Sequence, residues 1–261
     1  MKLKANGIEL NVWNLDGAAP ALVFLHYWGG SSRTWGETIS LLGLPNRIVA
    51  LDLRGWGDSD KPPHGYGIGE LADDVSAAIA ALNLTRYVLI GHSMGGKIAQ
   101  VYASRTPIGC VGLILVAPSP ACGVRIPEQQ RLGMLSAYES GASVEGTLDQ
   151  VLTAQPLTGE LRRRTIEDSL RGSPGAKHAW PAASLAEDVS HDLARITVPT
   201  LVIGAELDRV DPVAMLEVEV VAKIAGSVLH VIAGSGHLLP LEAPAQLAAC
   251  IAEFVAELVQ L

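Results

Sequence analysis

A serine hydroxyl is a poor nucleophile near neutral pH and acts only when a neighbouring base takes its proton. The residues that matter first are therefore a serine, a histidine and an acid whose positions let them meet. Gly91-His92-Ser93-Met94-Gly95 supplies the serine. This G-x-S-x-G segment follows an apolar strand-like run, Tyr87–Ile90, and opens a helical one, Lys97–Ser104. A strand turning directly into a helix crowds the backbone, so side chains at the two glycines would clash. The same turn holds Ser93 in strained φ/ψ and pushes its Oγ out above a sheet. It also sets the Met94 N–H at a helix N-terminus, where developing negative charge is stabilised.

Of the seven histidines, His237 has the setting a base needs. It ends Gly234-Ser235-Gly236-His237, a small-residue loop after the last strand-like run. His26 precedes the candidate oxyanion loop, and His92 lies inside the elbow and is expected to point away along the turn. His64, His178, His191 and His230 read as surface or packing residues. An acid must fix the imidazole tautomer and stabilise the imidazolium. Asp208, beyond the run Thr200–Ile203, is the favoured candidate, with Glu206 and Asp211 close by as alternatives. A second oxyanion donor is expected from His26-Tyr27-Trp28-Gly29-Gly30, with the Trp28 N–H facing that of Met94.

These residues need a scaffold, and hydrophobic periodicity supplies one. Leu3 to Leu15 reads as a β-hairpin turning at Asn6-Gly7. Ala21–Tyr27, Arg47–Leu53, Tyr87–Ser93, Val111–Ala117, Thr200–Ile203 and Ser227–Ala233 are short apolar runs of the buried-strand type. Between them, Leu71, Val75, Ile79 and Leu82 form one helical stripe, and Leu247, Ile251, Phe254 and Leu258 another, with Pro244 suited to a first turn. Strands alternating with helices imply an α/β fold with a mostly parallel central sheet flanked by helices. The rhythm breaks between about Ala121 and Asp192. Residues 121–192 read as an inserted helical cap, with residues 1–120 and 193–261 forming the core.

Composition narrows the partners. The chain has 261 residues, 49% hydrophobic and 18% charged, enough apolar material for a sizeable core. Its net charge of −8, with no Lys/Arg-rich run, offers no footprint for nucleic acid. Cys110, Cys122 and Cys250 are an odd number at unrelated spacings and read as core residues of a reducing compartment. MKLKANGIELNVW alternates polar and apolar residues unlike a signal peptide, and no apolar run reaches membrane-spanning length. The expectation is a cytoplasmic protein that acts on a small molecule away from membranes. Oligomeric state is not legible.

Taken together these segments resemble the α/β-hydrolase superfamily, specifically its small cap-bearing serine esterases and lactonases. The resemblance rests on His26–Gly30, on Asp52-Leu53-Arg54-Gly55-Trp56-Gly57-Asp58-Ser59, on Gly91–Gly95, on Asp208 with Pro212, and on Gly236-His237 with Glu242 and Pro244. It covers essentially the whole chain. It implies the α/β-hydrolase fold, a supporting role for His26 behind the oxyanion loop and a structural turn at Arg54–Ser59. Two departures stand out. The family's common His-Gly pair is His26-Tyr27 here, which leaves the second oxyanion donor open between Tyr27 and Trp28. The acid loop carries one more residue between Gly204 and Asp208 than many relatives, which keeps Glu206 in play. Relatives that place an aspartate at the elbow, the haloalkane dehalogenases and epoxide hydrolases, are disfavoured by Ser93.

The implied reaction is two-step acyl transfer on a carboxylic ester, with lactones such as acyl-homoserine lactones as a second substrate class. It calls for no metal or cofactor, and no Cys/His cluster has ligand spacing. Tyr27, Trp28, Tyr138 and Trp180 are candidate substrate-binding residues of an apolar pocket under the cap, and Trp35 is weighed beside them. Other classes remain on the same fold: a slow-turnover ligand receptor, an acyltransferase or perhydrolase, and a carbon–carbon bond hydrolase.

Overall fold

The computed structural model describes residues 1–259. Eight strands form one sheet: β1 (Lys2–Ala5), β2 (Ile8–Leu15), β3 (Ala18–Leu25), β4 (Asn46–Leu51), β5 (Tyr87–His92), β6 (Cys110–Val116), β7 (Thr200–Ala205) and β8 (Val228–Ile232). Their spatial order is β1-β2-β4-β3-β5-β6-β7-β8. The β1–β2 hairpin is antiparallel and attaches antiparallel to β4; every later pairing is parallel. Asn6 and Gly7 both take positive φ at the hairpin turn, as Asn-Gly pairs do.

Burial on both faces explains the unbroken apolar runs. In β3, Ala21, Val23 and Leu25 join the core on one side of the sheet, while Leu22 and Phe24 join that on the other. Helices α2 (Ile68–Ala81) and α3 (Met94–Ser104) cover the first face. Helices α1 (Gly36–Leu41) and α10 (Pro244–Val259) pack together against the second. In α10, Leu247, Ile251, Val255 and Leu258 are buried; Phe254, placed in the stripe by sequence, is only partly so, and Val255 takes the core position.

The chain leaves β3 for β4 on one side and returns through α2 to β5 on the other. The carboxyl ends of β3 and β5, paired at Leu25 and Gly91, therefore open into a crevice where their loops diverge. Trp35 lies beneath it in the second core, its ring 5.1 Å from that of Phe24, and is a packing residue absent from the cavity described below.

Between β6 and β7 the chain is helical: α4 (Glu128–Ser136), α5 (Gly141–Thr147), α6 (Gly159–Arg171) and α7 (Pro174–Ala179), joined by π and irregular turns. On α6, Arg162 and Arg163 meet acids at the surface, Arg162 with Asp149 and Arg163 with Glu160. Beyond β7 come α8 (Val213–Glu219) and the short α9 (Leu239–Glu242).

The turn after β4 is held by a buried polar network. Asp52 accepts from the N–H groups of Ser32 and Asp58 at 2.7 and 2.9 Å. Arg54 pairs with Asp74 of α2 at 2.6 and 2.7 Å, and Asn6 donates to the same carboxylate. Removing one partner of such a pair strands the other charge in the interior. Asp74→Ala is expected to cost about 3–5 kcal/mol of unfolding free energy by urea denaturation; a loss below about 1 kcal/mol would show the pair to be dispensable.

Candidate active site

Ser93 stands between β5 and α3 with φ 53° and ψ −114°, a conformation L residues rarely adopt. Three hydrogen bonds hold it there: its N–H donates to the Val116 carbonyl at 3.0 Å, and its own carbonyl accepts from Lys97 and Ser119 at 3.0 and 3.1 Å. The flanking glycines are required by space. A Cβ at Gly91 would sit 2.3 Å from the Gly95 carbonyl oxygen, and one at Gly95 would sit 2.6 Å from that of Leu25.

Ser93 Oγ lies 2.8 Å from His237 Nε2, and His237 Nδ1 lies 2.8 Å from Asp208 Oδ2. An ionised carboxylate only accepts, so Nδ1 carries the proton and Nε2 of the neutral ring accepts from the serine hydroxyl. Asp208 Oδ1 accepts from the N–H groups of Val210 and Asp211 at 2.7 and 3.1 Å. Burial disfavours its charge, but the His237 imidazole and these donors hold the carboxyl below its ordinary range. Burial likewise opposes a charged His237, yet Asp208 raises its pKa above 6.5. Of the alternative acids, Glu206 is exposed and accepts from Gly234 N–H, while Asp211 is buried near the imidazole without bonding it.

Two other histidines frame the pair. His92 does not point away: its Nε2 lies 2.8 Å from the His237 carbonyl oxygen and its ring 5.3 Å from the His237 ring. A strand-end side chain has to take one face of the sheet, and here that face lies under the histidine loop. Burial first, then the nearby His237, lower its pKa to about 3. His26 accepts from Leu53 N–H at 3.0 Å through Nε2, so its Nδ1–H donates to the Tyr27 carbonyl at 2.7 Å. It braces the loop after β3. His64, His178, His191 and His230 are exposed and make none of these contacts.

The loop after β3 is also held from above. Tyr138 Oη donates to the Trp28 carbonyl at 2.8 Å, Ser169 Oγ to that of Gly29 at 3.0 Å, and Ser31 Oγ to Asp168 at 2.9 Å. Arg33 forms an ion pair with the same Asp168. The N–H groups of Tyr27, Trp28 and Met94 donate to no acceptor among the described residues. Glu242, at the end of α9, gathers the N–H groups of Ala154, Gly236 and Leu238 at 2.7, 3.1 and 3.2 Å, which clamps the loop carrying His237.

Above Ser93 and His237 opens a cavity of about 480 Å³. Tyr27, Trp28, Tyr138 and Trp180 all line it, with Val124, Ile126, Met134, Leu152 and Leu185 completing an apolar wall. Among the described residues no group of three or more His, Cys, Asp or Glu is arranged to hold a metal ion. No helix there is long and apolar enough to cross a membrane.

A family model described as the alpha/beta hydrolase family matches residues 22–250. The chain belongs to the α/β-hydrolase family. The AB hydrolase superfamily protein YisY of Bacillus subtilis is 30% identical over 249 residues, covering 91% of this chain and 92% of that one. Among solved structures, an esterase from Exiguobacterium antarcticum superposes with TM-score 0.89 at 25% identity, covering 98% of each chain. Est816, an N-acyl homoserine lactone degrading enzyme, superposes with TM-score 0.85 at 26% identity, covering 97% of this chain and 100% of that one.

Some members of this hydrolase's site were not legible as such in its sequence. Asp168 and Arg33 lie far apart in the chain and carry no motif. Asp211 reads from sequence only as a rival acid, yet it lines the cavity. Lys97 is fully buried on α3, with Nζ donating to the Leu185 and Glu187 carbonyls at 3.1 and 2.7 Å; burial lowers its pKa to about 8. The two buried histidines near Ser93 should part on titration. By heteronuclear NMR of the imidazoles, His237 is expected to protonate with a midpoint above pH 6.5 and His92 to stay neutral down to about pH 3. Midpoints for both near 6.5 would contradict this electrostatic description.

Proposed function

We propose that this hydrolase cleaves carboxylic esters through a Ser93 acyl-enzyme, with His237 as base and Asp208 as its acid partner. The reading is carried by one observation, the hydrogen-bonded chain Ser93–His237–Asp208 at the floor of a largely apolar cavity. Ser93 Oγ attacks the ester carbonyl carbon and gives its proton to His237 Nε2. The carbonyl oxygen becomes an oxyanion between the N–H groups of Met94 and Trp28. The tetrahedral species collapses, and the leaving alcohol departs with the proton from His237. Water then gives a proton to His237 and attacks the acyl carbon; Ser93 is regenerated as the acid leaves.

The assignment of Met94 is supported by its place at the first position of α3, where helix dipole and unpaired N–H favour an anion. Trp28 is preferred over Tyr27 because its N–H belongs to the Tyr27–Trp28 peptide, whose carbonyl is anchored by His26 Nδ1–H at 2.7 Å and Gly30 N–H at 3.0 Å. Each such donor is worth about 3 kcal/mol in the transition state. Residues 121–192 serve in this reading as the cap that closes the cavity and selects the acyl chain. The apolar wall favours small to medium acyl groups, and the likeness to the lactone-degrading enzyme adds lactones as a second substrate class.

Proton release in a pH-stat, on aliphatic esters and acyl-homoserine lactones, tests the reading. Ser93→Ala and His237→Ala are each expected to lower kcat by at least about 10³-fold, and Asp208→Asn by a similar order, with the fold kept. Since His237 must be neutral to act and its pKa is raised, kcat/KM should fall on the acid side with a midpoint above 6.5. Near-normal turnover in His237→Ala, or an effect of Glu206→Gln larger than that of Asp208→Asn, would overturn the assignment.

A further inference from the structure

The wall of the cavity holds polar atoms that nothing among the described residues satisfies. Asp211 is only 4% exposed and lines the cavity together with Ser93 and His237. Its Oδ2 is sealed from solvent and has no hydrogen-bond partner among the described residues. Ser119 Oγ, in the same wall, is orphaned in the same way. The Ser119 N–H donates to the Ser93 carbonyl and the Asp211 N–H to Asp208 Oδ1, so both residues are anchored at the reacting end of the cavity. Folded proteins pair nearly all buried polar groups; two unpaired oxygens in one wall, with Trp28 Nε1 orphaned there as well, call for a partner that arrives from outside.

The charged groups facing Asp211 are His237, Asp208 and Lys97. Burial raises its pKa to about 8 and Asp208 adds to the rise, against the pull of His237 and Lys97. A carboxyl in that state is neutral at pH 7 and both donates and accepts, as a serine hydroxyl does. A substrate hydroxyl that enters beside Ser93 can pair with either group once that side chain turns toward the cavity, donating to it or accepting from it.

We propose that Asp211 and Ser119 form a polar subsite for a hydroxyl substituent within a few bonds of the carbonyl that Ser93 attacks. The preferred substrates are then hydroxylated esters rather than plain aliphatic ones, a refinement that rests on the ester-hydrolase reading above. A site built to hydrogen-bond a substrate hydroxyl discriminates strongly against the analogue lacking it, because its own polar groups are then left unpaired.

The test compares kcat/KM for two ester pairs, methyl 3-hydroxybutanoate against methyl butanoate and 2-hydroxyethyl butanoate against ethyl butanoate. The wild type is expected to prefer the hydroxylated member of at least one pair by about tenfold or more. Asp211→Val should lower that ratio about tenfold, while Asp211→Asn, which keeps a donor and an acceptor, should retain most of it. Ser119→Ala should lower the ratio too and serves if Asp211→Val does not fold. A wild-type ratio near one in both pairs, or a ratio untouched by Asp211→Val and Ser119→Ala, overturns the subsite. If the wild type turns over none of the four esters, the ester reading fails on its own. Calorimetric binding of the same esters to Ser93→Ala then decides the subsite, with tighter binding of a hydroxylated member supporting it. Equal affinity, or no binding, overturns it.

Discussion

A strand that becomes a helix with no intervening loop has to place one residue at the corner, and Ser93 occupies it at φ 53°. Holding a serine there costs on the order of 1–3 kcal/mol, and the surroundings must supply that much to keep it. They do so through the three hydrogen bonds on its peptide groups and through the absence of side chains at Gly91 and Gly95, which lets α3 press against the ends of β3 and β5. Everything else in the site is arranged around this fixed corner. The crevice between β3 and β5 opens beside it, β6 holds it from the far side through Val116, and the loops after β7 and β8 bring Asp208 and His237 to meet Oγ.

The imidazole is kept in one orientation by several weak constraints. Asp208 fixes the Nδ1 side, His92 bonds the His237 carbonyl from beneath, and Glu242 gathers the N–H groups on either side of the loop. The loop after β3 is braced in the same manner, by His26 from below and by Tyr138, Ser169 and Asp168 from the helical segment above. This second set joins the helical segment to the loop after β3. A shift of the helical segment would therefore be felt at Trp28 and Gly29 directly, without passing through the core.

The architecture was open to reading because it rests on local patterns. Continuous apolar runs mark strands buried on both faces, and the Asn6-Gly7 turn marks the opening hairpin. The elbow is legible for a like reason: strand, G-x-S-x-G and helix must coincide, and that coincidence is rare. Ser93, His237 and Asp208 are named by position after a strand, and they are the residues that meet in the structure. What stayed hidden depends on contacts distant in the chain. Nothing near Asp168 says that it pairs with Arg33, and nothing near His92 says which face its ring takes. Nothing in the loop after β3 says that Trp28 reaches the cavity while Trp35 packs in the core of the second face.

The chemistry proposed for this site depends on whether His237 activates Ser93. Diethyl 4-nitrophenyl phosphate, which phosphorylates activated serines, reports this without any assumption about the natural substrate. Intact-mass and peptide mass spectrometry should find one diethylphosphoryl group per chain, carried on Ser93, and its formation should be slowed by orders of magnitude in folded His237→Ala. No adduct on the folded wild type, an adduct on another residue, or an equal labelling rate in His237→Ala would contradict it.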